Sequence, residues 1–306
     1  MESKQGRAAV DIISLAVYSF TFLLGLPSNL LVLAVYLRKA RKRGATPCVV
    51  YALNLCVANL ALVAWLPVMA LETAARGWAL PLPVCLAYSF FLVASLYGSC
   101  LFLAVTAVGR YLGAAYPISY KLYRSGRLSC GVSAGLWALV LLHLGPGLAA
   151  EGGAYFTHPA PLGNGSTCFQ DFTAEQHRVL LPLRLEMALL LFLLPLAATA
   201  FCTLRCVALV RRSCLPAGRK RRAAAVACAT LAVFVVCYGP YNASHVVGFA
   251  AGGTVGWRKE AMLTSACNVF LEPAVMLLLS PPNRLPGLAG RLCGRAGHGK
   301  TVANRH

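Results

Sequence analysis

The chain alternates between long apolar stretches and short polar or basic segments. Seven apolar stretches lie between charges or turn-forming residues and reach the length of roughly 20 residues that a helix needs to cross the ~30 Å hydrocarbon core of a bilayer. The predicted spans cover residues 11–37, 47–71, 83–112, 129–149, 179–210, 223–251 and 258–279.

These spans predict an all-α membrane protein, a seven-transmembrane helix bundle. Residues 1–10 are predicted to form an extracellular N-terminus, 11–279 the transmembrane domain and 280–306 a cytosolic tail. The first span is too long for the core of a signal peptide and lacks a small-residue cleavage site. It is therefore predicted to be a retained signal anchor.

Composition agrees with a membrane protein and argues against other classes. Hydrophobic residues make up 58% of the 306 residues, charged residues make up 12%, and the mean hydropathy is +0.68. A soluble nucleic-acid-binding protein with a net charge of +19 would have a polar, lysine-rich face, so no nucleic-acid partner is expected. The 13 cysteines lack the spacing of a small disulfide scaffold.

Basic residues fall on one side of the predicted bundle. The segments after the first, third and fifth spans, together with the tail, hold most of the 28 Lys and Arg residues and none of the 9 acidic residues. The positive-inside rule then places the N-terminus outside and the C-terminal tail in the cytosol. Basic segments can also bind lipids or calmodulin, but topology alone accounts for these.

The outer loops contain two candidate modification sites. Asn164 begins an N-glycosylation acceptor sequence, whereas a second such sequence, at Asn242, lies inside the sixth span and is discounted. Cys85 opens the third span and Cys168 lies in the long loop before the fifth. The two cysteines are either a disulfide formed outside the cell or unrelated thiols.

Seven spans are compatible with a receptor, a retinal pump or a small transporter, and local motifs discriminate between them. In chain order the motifs are Gly25-Leu26-Pro27-Ser28-Asn29, Leu53-Asn54-Leu55, Gly109-Arg110-Tyr111, Trp137, Pro195, Cys237-Tyr238-Gly239-Pro240 and Glu272-Pro273. In this order and spacing they resemble the rhodopsin-like G-protein-coupled receptors over almost the whole chain.

Longer strings resemble the free fatty acid receptors within that family. These strings are residues 50–55, 109–115, 181–186 and 239–248. The string 109–115 is similar to the member for medium and long chains, whereas 181–186 and His245 are similar to the short-chain members. The chain thus resembles a mosaic of the two subtypes.

Charged residues at membrane depth point to an anion site. Arg184 lies among leucines near the outer end of the fifth span, where facing lipid centrally would cost ~2.5 kcal/mol or more, so it should face the bundle interior or snorkel outward. Arg258 and His245 lie near the outer ends of the seventh and sixth spans. Cationic or protonatable groups therefore converge at one depth, where an anion is the natural ligand.

The resemblance implies which residues bind the ligand. Arg184 and Arg258 would bind a fatty acid carboxylate, since a planar guanidinium can donate two parallel N–H bonds to its two oxygens. The further ligand residues implied are Tyr97, His143, Tyr241, Asn242 and His245. For some of these residues a structural alternative stays open: snorkelling or pairing with Glu186 for Arg184, interface anchoring for Arg258, and packing for Tyr97, His143 and His245.

The resemblance also implies the remaining features of such a receptor. They are a Cys85–Cys168 disulfide, a G-protein switch at Arg110 and Tyr111, a plasma-membrane location and no cofactor. The partners would be a heterotrimeric G protein (Gi and/or Gq), arrestin and membrane lipids, and the ligand a short-chain carboxylate or, alternatively, a medium- or long-chain fatty acid. An organic-anion transporter is the alternative from another class; an enzyme is not expected.

Several positions depart from the family pattern. They are Gly109 in place of the acid before Arg110, Asn59 in place of an aspartate, Thr203 in place of a tyrosine, and Glu272 and Met276 in the seventh span. A carboxyl buried at Glu272 must be neutral or paired, so it is predicted to take over part of the missing polar network. We therefore expect ligand recognition to be better preserved than G-protein coupling, and a non-signalling receptor stays an alternative.

Overall fold

A computed structural model describes residues 4–123, 125–149, 157–159, 166–168 and 172–279. The protein is a bundle of long helices. In chain order they are α1 (Lys4–Arg43), α2 (Pro47–Ala75), α3 (Leu82–Ala115), the short α4 (Pro117–Tyr123), α5 (Gly126–Ala149), α6 (Ala174–Met187), α7 (Leu194–Arg212), α8 (Ala217–Ala251) and α9 (Arg258–Leu279). In the loop between α5 and α6, β1 (Thr157–Pro159) and β2 (Ser166–Cys168) pair antiparallel.

Each predicted span lies within the helices of the bundle, and the seven-transmembrane bundle is confirmed. Within the described residues, six helical stretches are long and apolar enough to cross a membrane. The seventh predicted span corresponds to α9, whose first turn holds Arg258, Lys259 and Glu260. Large apolar side chains such as Leu23 and Leu142 are 68% and 70% exposed on the outside of the bundle, as a lipid-facing surface requires.

Helix ends differ from the predicted boundaries. α1 begins at Lys4, so it includes most of the segment predicted to be a polar N-terminus. The predicted tail, 280–306, and the candidate glycosylation residue Asn164 lie outside the described residues.

The fifth span contains a π-helical segment, Ala188–Leu193, between α6 and α7. The Leu194 N–H donates to the Leu189 carbonyl five residues earlier rather than to the α-helical partner. Pro195 is the next residue and has no backbone N–H to donate. The chain therefore returns to α-helix where one backbone hydrogen bond cannot form in any case. Arg184 lies on the outer side of this segment.

Polar side chains of the motifs bind the helices to each other. Trp137 Nε1 donates to Asn54 Oδ1 at 2.9 Å, linking α5 to α2. Asn29 Nδ2 donates to the Val269 carbonyl at 2.7 Å, linking α1 to α9. Such bonds hold helices together in a bilayer, where apolar surface alone gives little preference for protein over lipid.

Hydrogen bonds near Pro240, a proline inside α8, connect α8 to α9. Pro240 lies inside α8, and the nearby Cys237 carbonyl accepts hydrogen bonds from Thr264 Oγ1 and Ser265 Oγ, each at 3.0 Å. Neighbouring side chains thus bond to backbone that a proline disturbs. These contacts place the outer part of α8 beside the first turns of α9.

Candidate ligand-binding site

Arg184 and Arg258 both lie buried at the predicted outer end of the bundle. Arg184 is in the last turn of α6 and Arg258 opens α9; their exposed fractions are 2% and 8%. Of the two predicted orientations, Arg184 takes the one that faces the interior. The two guanidinium charges are close enough to repel each other.

α8 contributes Tyr241 and His245, one helical turn apart. Arg258 Nη2 donates to Tyr241 Oη at 3.4 Å, and its Cζ lies 5.7 Å from the centroid of the Tyr241 ring. The His245 ring packs edge-on against Tyr241 with a centroid separation of 4.6 Å. Both arginine charges act on His245, whose Nδ1 has no hydrogen-bond partner among the residues that the structure describes.

Tyr97 joins this group from α3. Its hydroxyl donates to Asn242 Oδ1 at 3.2 Å, and Asn242 Nδ2 donates to the Tyr238 carbonyl at 2.9 Å. Tyr97 is fully buried, and the charges of Arg184 and Arg258 act on its phenol. We call these residues the cationic cluster: Arg184, Arg258, Tyr97, Tyr241, Asn242 and His245.

The described polar contacts of His143 lie outside the cationic cluster. His143 is on α5, where Nδ1 lies 2.8 Å from the Leu139 carbonyl and Nε2 lies 3.6 Å from Glu186 Oε1. Glu186 is two residues from Arg184, and residues so spaced on a helix do not face each other. Glu186 accordingly points towards α5 with half of its side chain exposed.

The cationic cluster suits a small anion. Two buried positive charges repel each other, and this repulsion is strong where water is excluded. A carboxylate between them would replace repulsion by charge-assisted hydrogen bonds. Within the described chain, no group of three or more His, Cys, Asp or Glu side chains is placed to hold a metal ion.

The Cys85–Cys168 disulfide is present, as expected from the resemblance. It joins the outer end of α3 to β2 across 83 residues, with the Cα atoms 5.8 Å apart. The carboxylate of Glu72, near the end of α2, accepts a hydrogen bond from the Cys168 backbone and faces Lys259 on α9. The hairpin is therefore bonded to two helices, α3 and α2, at the outer end of the bundle.

Arg110, the predicted switch residue, contacts α8 rather than a neighbouring acid. Its Nη1 donates to Thr230 Oγ1 at 3.2 Å, and its carbonyl accepts a weak bond from Cys206 Sγ at 3.9 Å. The adjacent Tyr111 ring packs edge-on against Phe201 of α7 at 5.9 Å. These contacts hold the predicted cytosolic ends of α3, α7 and α8 together.

A second buried polar group lies deeper in the bundle, the inner polar network of Asn59, Ser99, Asn268 and Glu272. Asn59 Nδ2 donates to Glu272 Oε2 at 3.0 Å. Asn59 Oδ1 accepts from Asn268 Nδ2 at 3.2 Å and from Ser99 Oγ at 3.4 Å. The prediction that Glu272 takes part in a polar network with the altered position 59 is confirmed.

No sequence motif predicted two of the contacts at these sites. Phe172 lies beside Arg184, and Thr230 accepts from Arg110. Neither residue is unusual for its segment, so only the folded chain reveals them. The charged partner in each pair was identifiable, because charge at membrane depth is rare.

Comparison with known proteins places most of the chain in one family. Residues 28–275 match the family described as 7 transmembrane receptor (rhodopsin family). The match includes every residue of the cationic cluster and of the inner polar network.

Comparison with individual relatives identifies the group within this family. The chain is 40% identical to free fatty acid receptor 1 of Mus musculus over 275 residues, which are 86% of this chain and 90% of the relative. With free fatty acid receptor 1 of Mesocricetus auratus the identity is 40% over 94% of this chain and 96% of the relative. With free fatty acid receptor 3 of Homo sapiens it is 38% over 91% and 80%, respectively.

Proposed function

Because the chain belongs to the rhodopsin family of seven-transmembrane receptors and, within it, to the free fatty acid receptors, we propose that short-chain carboxylates activate it. The chain is a multi-pass plasma-membrane receptor of the G-protein-coupled class and not an enzyme. In the proposed function a carboxylate binds at the cationic cluster. The signal then passes to heterotrimeric G proteins of the Gi or Gq class, with arrestin as a further partner.

The observation that carries this proposal is the burial of two arginines at the same end of the bundle. Arg184 and Arg258 come from α6 and α9 and are 2% and 8% exposed, and the charge of Arg258 acts on Arg184. Burying charge is costly, and a charge of opposite sign bound between the two would offset part of that cost. An anionic ligand therefore gains more here than at an exposed arginine.

The neighbouring polar groups fit the proposed carboxylate. In this proposal Tyr241 and His245 add hydrogen bonds beside Arg258, while Tyr97 and Asn242 contribute from the other side. His143, which bonds with Leu139 and Glu186, would act on the ligand only indirectly. Glycosylation at Asn164 stays a prediction.

The packing below the cluster supports a short acyl chain. Tyr97, Tyr238 and Phe234 are large, fully buried side chains at or below the level of the arginines. For a ligand as small as propionate, with about five heavy atoms, binding is limited to roughly 7.5 kcal/mol, which is micromolar at best. Each further buried methylene would add ~0.8 kcal/mol where space allows.

Activation would change the contacts at the predicted cytosolic end. The Arg110–Thr230 hydrogen bond ties α3 to α8, and in our proposal it belongs to the resting state. A ligand can favour the active state only if it binds that state more tightly. Movement of α8, which also contributes Tyr241 and His245, would connect the two ends.

A chain-length series in cells that express the full chain tests this function. We expect G-protein activation to be strongest for carboxylates of about two to four carbons, because the large buried side chains of Tyr238 and Phe234 pack next to the cluster. Arg184→Gln should reduce potency by about a hundredfold or more, since it removes a buried charge that pairs with the ligand. Surface level is measured for each variant.

The matched control is Arg178→Gln, which removes an exposed arginine from the same helix and should change potency by less than about twofold. A normal response from Arg184→Gln receptors at the cell surface would refute the site. A response only beyond about ten carbons would favour the medium- and long-chain alternative. Uptake of radiolabelled propionate into vesicles would favour transport instead.

A further inference from the structure

Phe172, in the segment between β2 and α6, lies against the guanidinium of Arg184. The Arg184 Cζ atom is over the Phe172 ring, 4.9 Å from its centroid. An aromatic face attracts a cation at distances up to about 6 Å, and more strongly when the pair is withdrawn from water. Phe172 is half-buried and Arg184 is almost fully buried, so this contact is largely withdrawn from water.

The position of Phe172 is fixed from both sides. Cys168 is joined to Cys85 at the outer end of α3. On the other side, Thr173 caps α6: Thr173 Oγ1 accepts from the Gln176 N–H at 3.3 Å, and Gln176 Oε1 accepts from the Thr173 N–H at 2.7 Å. This reciprocal capping box fixes the entry of the chain into the helix directly after Phe172.

We propose that Phe172 is a positioning residue of the ligand site, which orients the Arg184 guanidinium for the carboxylate and shields it from water. The proposal rests on the proposed function of the cationic cluster. The ring attracts the guanidinium through its π face, whereas a carboxylate bonds to N–H groups in the guanidinium plane. The two contacts use different parts of the groups involved, so they can form together.

Further side chains extend the contacts of Phe172 near Arg184. The Phe172 ring packs at 6.1 Å from the ring of His177, on which the Arg184 charge also acts. His177 Nε2 lies 3.1 Å from Thr254 Oγ1, in the segment that joins α8 to α9. Phe172 is therefore one end of a connection that runs from the disulfide-bonded loop to the helices that hold His245 and Arg258.

This arrangement makes a specific prediction about the ligand. Phe172 acts on the cation that receives the carboxylate and not on the acyl chain. Loss of its ring should therefore weaken all short carboxylates by the same factor. A residue that lined the acyl chain would instead affect longer carboxylates more, because each added methylene contributes its own burial.

The experiment measures G-protein activation by acetate, propionate and butyrate in cells that express the full chain. Phe172→Leu keeps an apolar side chain but removes the π face, and we expect a loss of potency of about five- to tenfold for each ligand. Phe172→Trp, which keeps an aromatic face, should retain potency within about twofold. Phe249→Leu, at an exposed phenylalanine of α8, is the matched control and should leave potency unchanged.

Double variants show whether Phe172 acts through Arg184. The effect of Phe172→Leu should be smaller in an Arg184→Gln receptor, which lacks the cation that the ring attracts, because groups in contact are coupled. Should the leucine variant fail to reach the surface, Phe172→Met is measured in the same way.

The outcomes separate this inference from the function on which it rests. If the unaltered receptor answers none of the carboxylates, the proposed function fails. If the unaltered receptor responds and Phe172→Leu has unchanged potency at a normal surface level, only the role of Phe172 is overturned. A loss that grows with chain length, or an equal loss in Phe172→Trp, also overturns it.

Discussion

The cationic cluster and the inner polar network are both buried polar groups in the same bundle, but their bonding differs. In the inner polar network Asn59 bonds directly to Glu272, Asn268 and Ser99, at 3.0, 3.2 and 3.4 Å. In the cationic cluster, hydrogen bonds between side chains include Tyr97 to Asn242 at 3.2 Å and Arg258 to Tyr241 at 3.4 Å, and the cluster holds two charges of the same sign.

This difference in bonding indicates different roles for the two regions. In the inner polar network, direct hydrogen bonds between side chains link α2, α3 and α9. The cationic cluster holds two buried charges of the same sign, and in our proposal a carboxylate bound there would stabilise it. We therefore expect stability to depend more on the inner polar network and recognition more on the cationic cluster.

The largest expected effect comes from breaking the inner polar network with Glu272→Leu. The Asn59 amide would lose a buried acceptor, at a cost of about 1–3 kcal/mol. The midpoint of thermal unfolding of the purified receptor should fall by several degrees. Carboxylate affinity of the folded fraction should change by less than about threefold, because the ligand contacts stay in place.

The matched control for that variant is Glu272→Gln, which keeps an oxygen that can accept from Asn59. We expect it to lose less than half as much thermal stability as the leucine variant. Equal losses in both variants would mean that charge, rather than the hydrogen bond, holds the network. A large fall in carboxylate affinity would contradict the division between the two regions.

Arg258→Lys should have an intermediate effect, confined to recognition. The substitution keeps a positive charge but removes the planar fork of donors that fits a carboxylate. We expect about tenfold weaker potency, equivalent to ~1.4 kcal/mol, with the thermal midpoint unchanged. Lys259→Gln, at the exposed neighbouring position, is the control. Wild-type potency in Arg258→Lys receptors would mean that Arg258 contributes only its charge.

The smallest effect is expected from His143→Gln. His143 interacts with the half-exposed carboxylate of Glu186, and pairs that are open to their surroundings are worth about 0–1 kcal/mol. Potency for propionate should fall by less than about threefold. His245→Gln, in the cationic cluster, is measured beside it and should lose more. An equal loss in both variants would extend the ligand site to α5.

The spans could be predicted because an apolar stretch of about 20 residues by itself indicates a membrane-spanning helix. Their ends could not, since a helix continues into water where polar side chains do not stop it; α1, for example, runs from Lys4 to Arg43. The convergence of Arg184, Arg258 and His245 was predictable as well. The direction of each helix through the membrane places those residues at one depth, and charge at that depth is rare enough to notice.

Rotation about a helix axis and the path of a loop were not predictable. His143 lies outside the four-residue spacing of Ser129, Ser133 and Trp137 on α5, so the sequence does not show which way His143 points. Phe172 contacts Arg184 in a loop that the Cys85–Cys168 disulfide joins to α3, and that disulfide is a contact distant in sequence. The Arg110–Thr230 bond likewise needs two helices to meet.

The π-helical segment Ala188–Leu193 determines the direction in which Arg184 projects as well as the shape of its helix. A π turn takes up one residue more than an α turn, and one residue of α-helix corresponds to a rotation of about 100°. Had the fifth span been α-helical throughout, Arg184 would project roughly a quarter turn away from its present direction. The π-helical segment near the middle of the membrane thus sets the direction in which Arg184 projects. That segment lies several residues from any atom that a carboxylate would touch in our proposal.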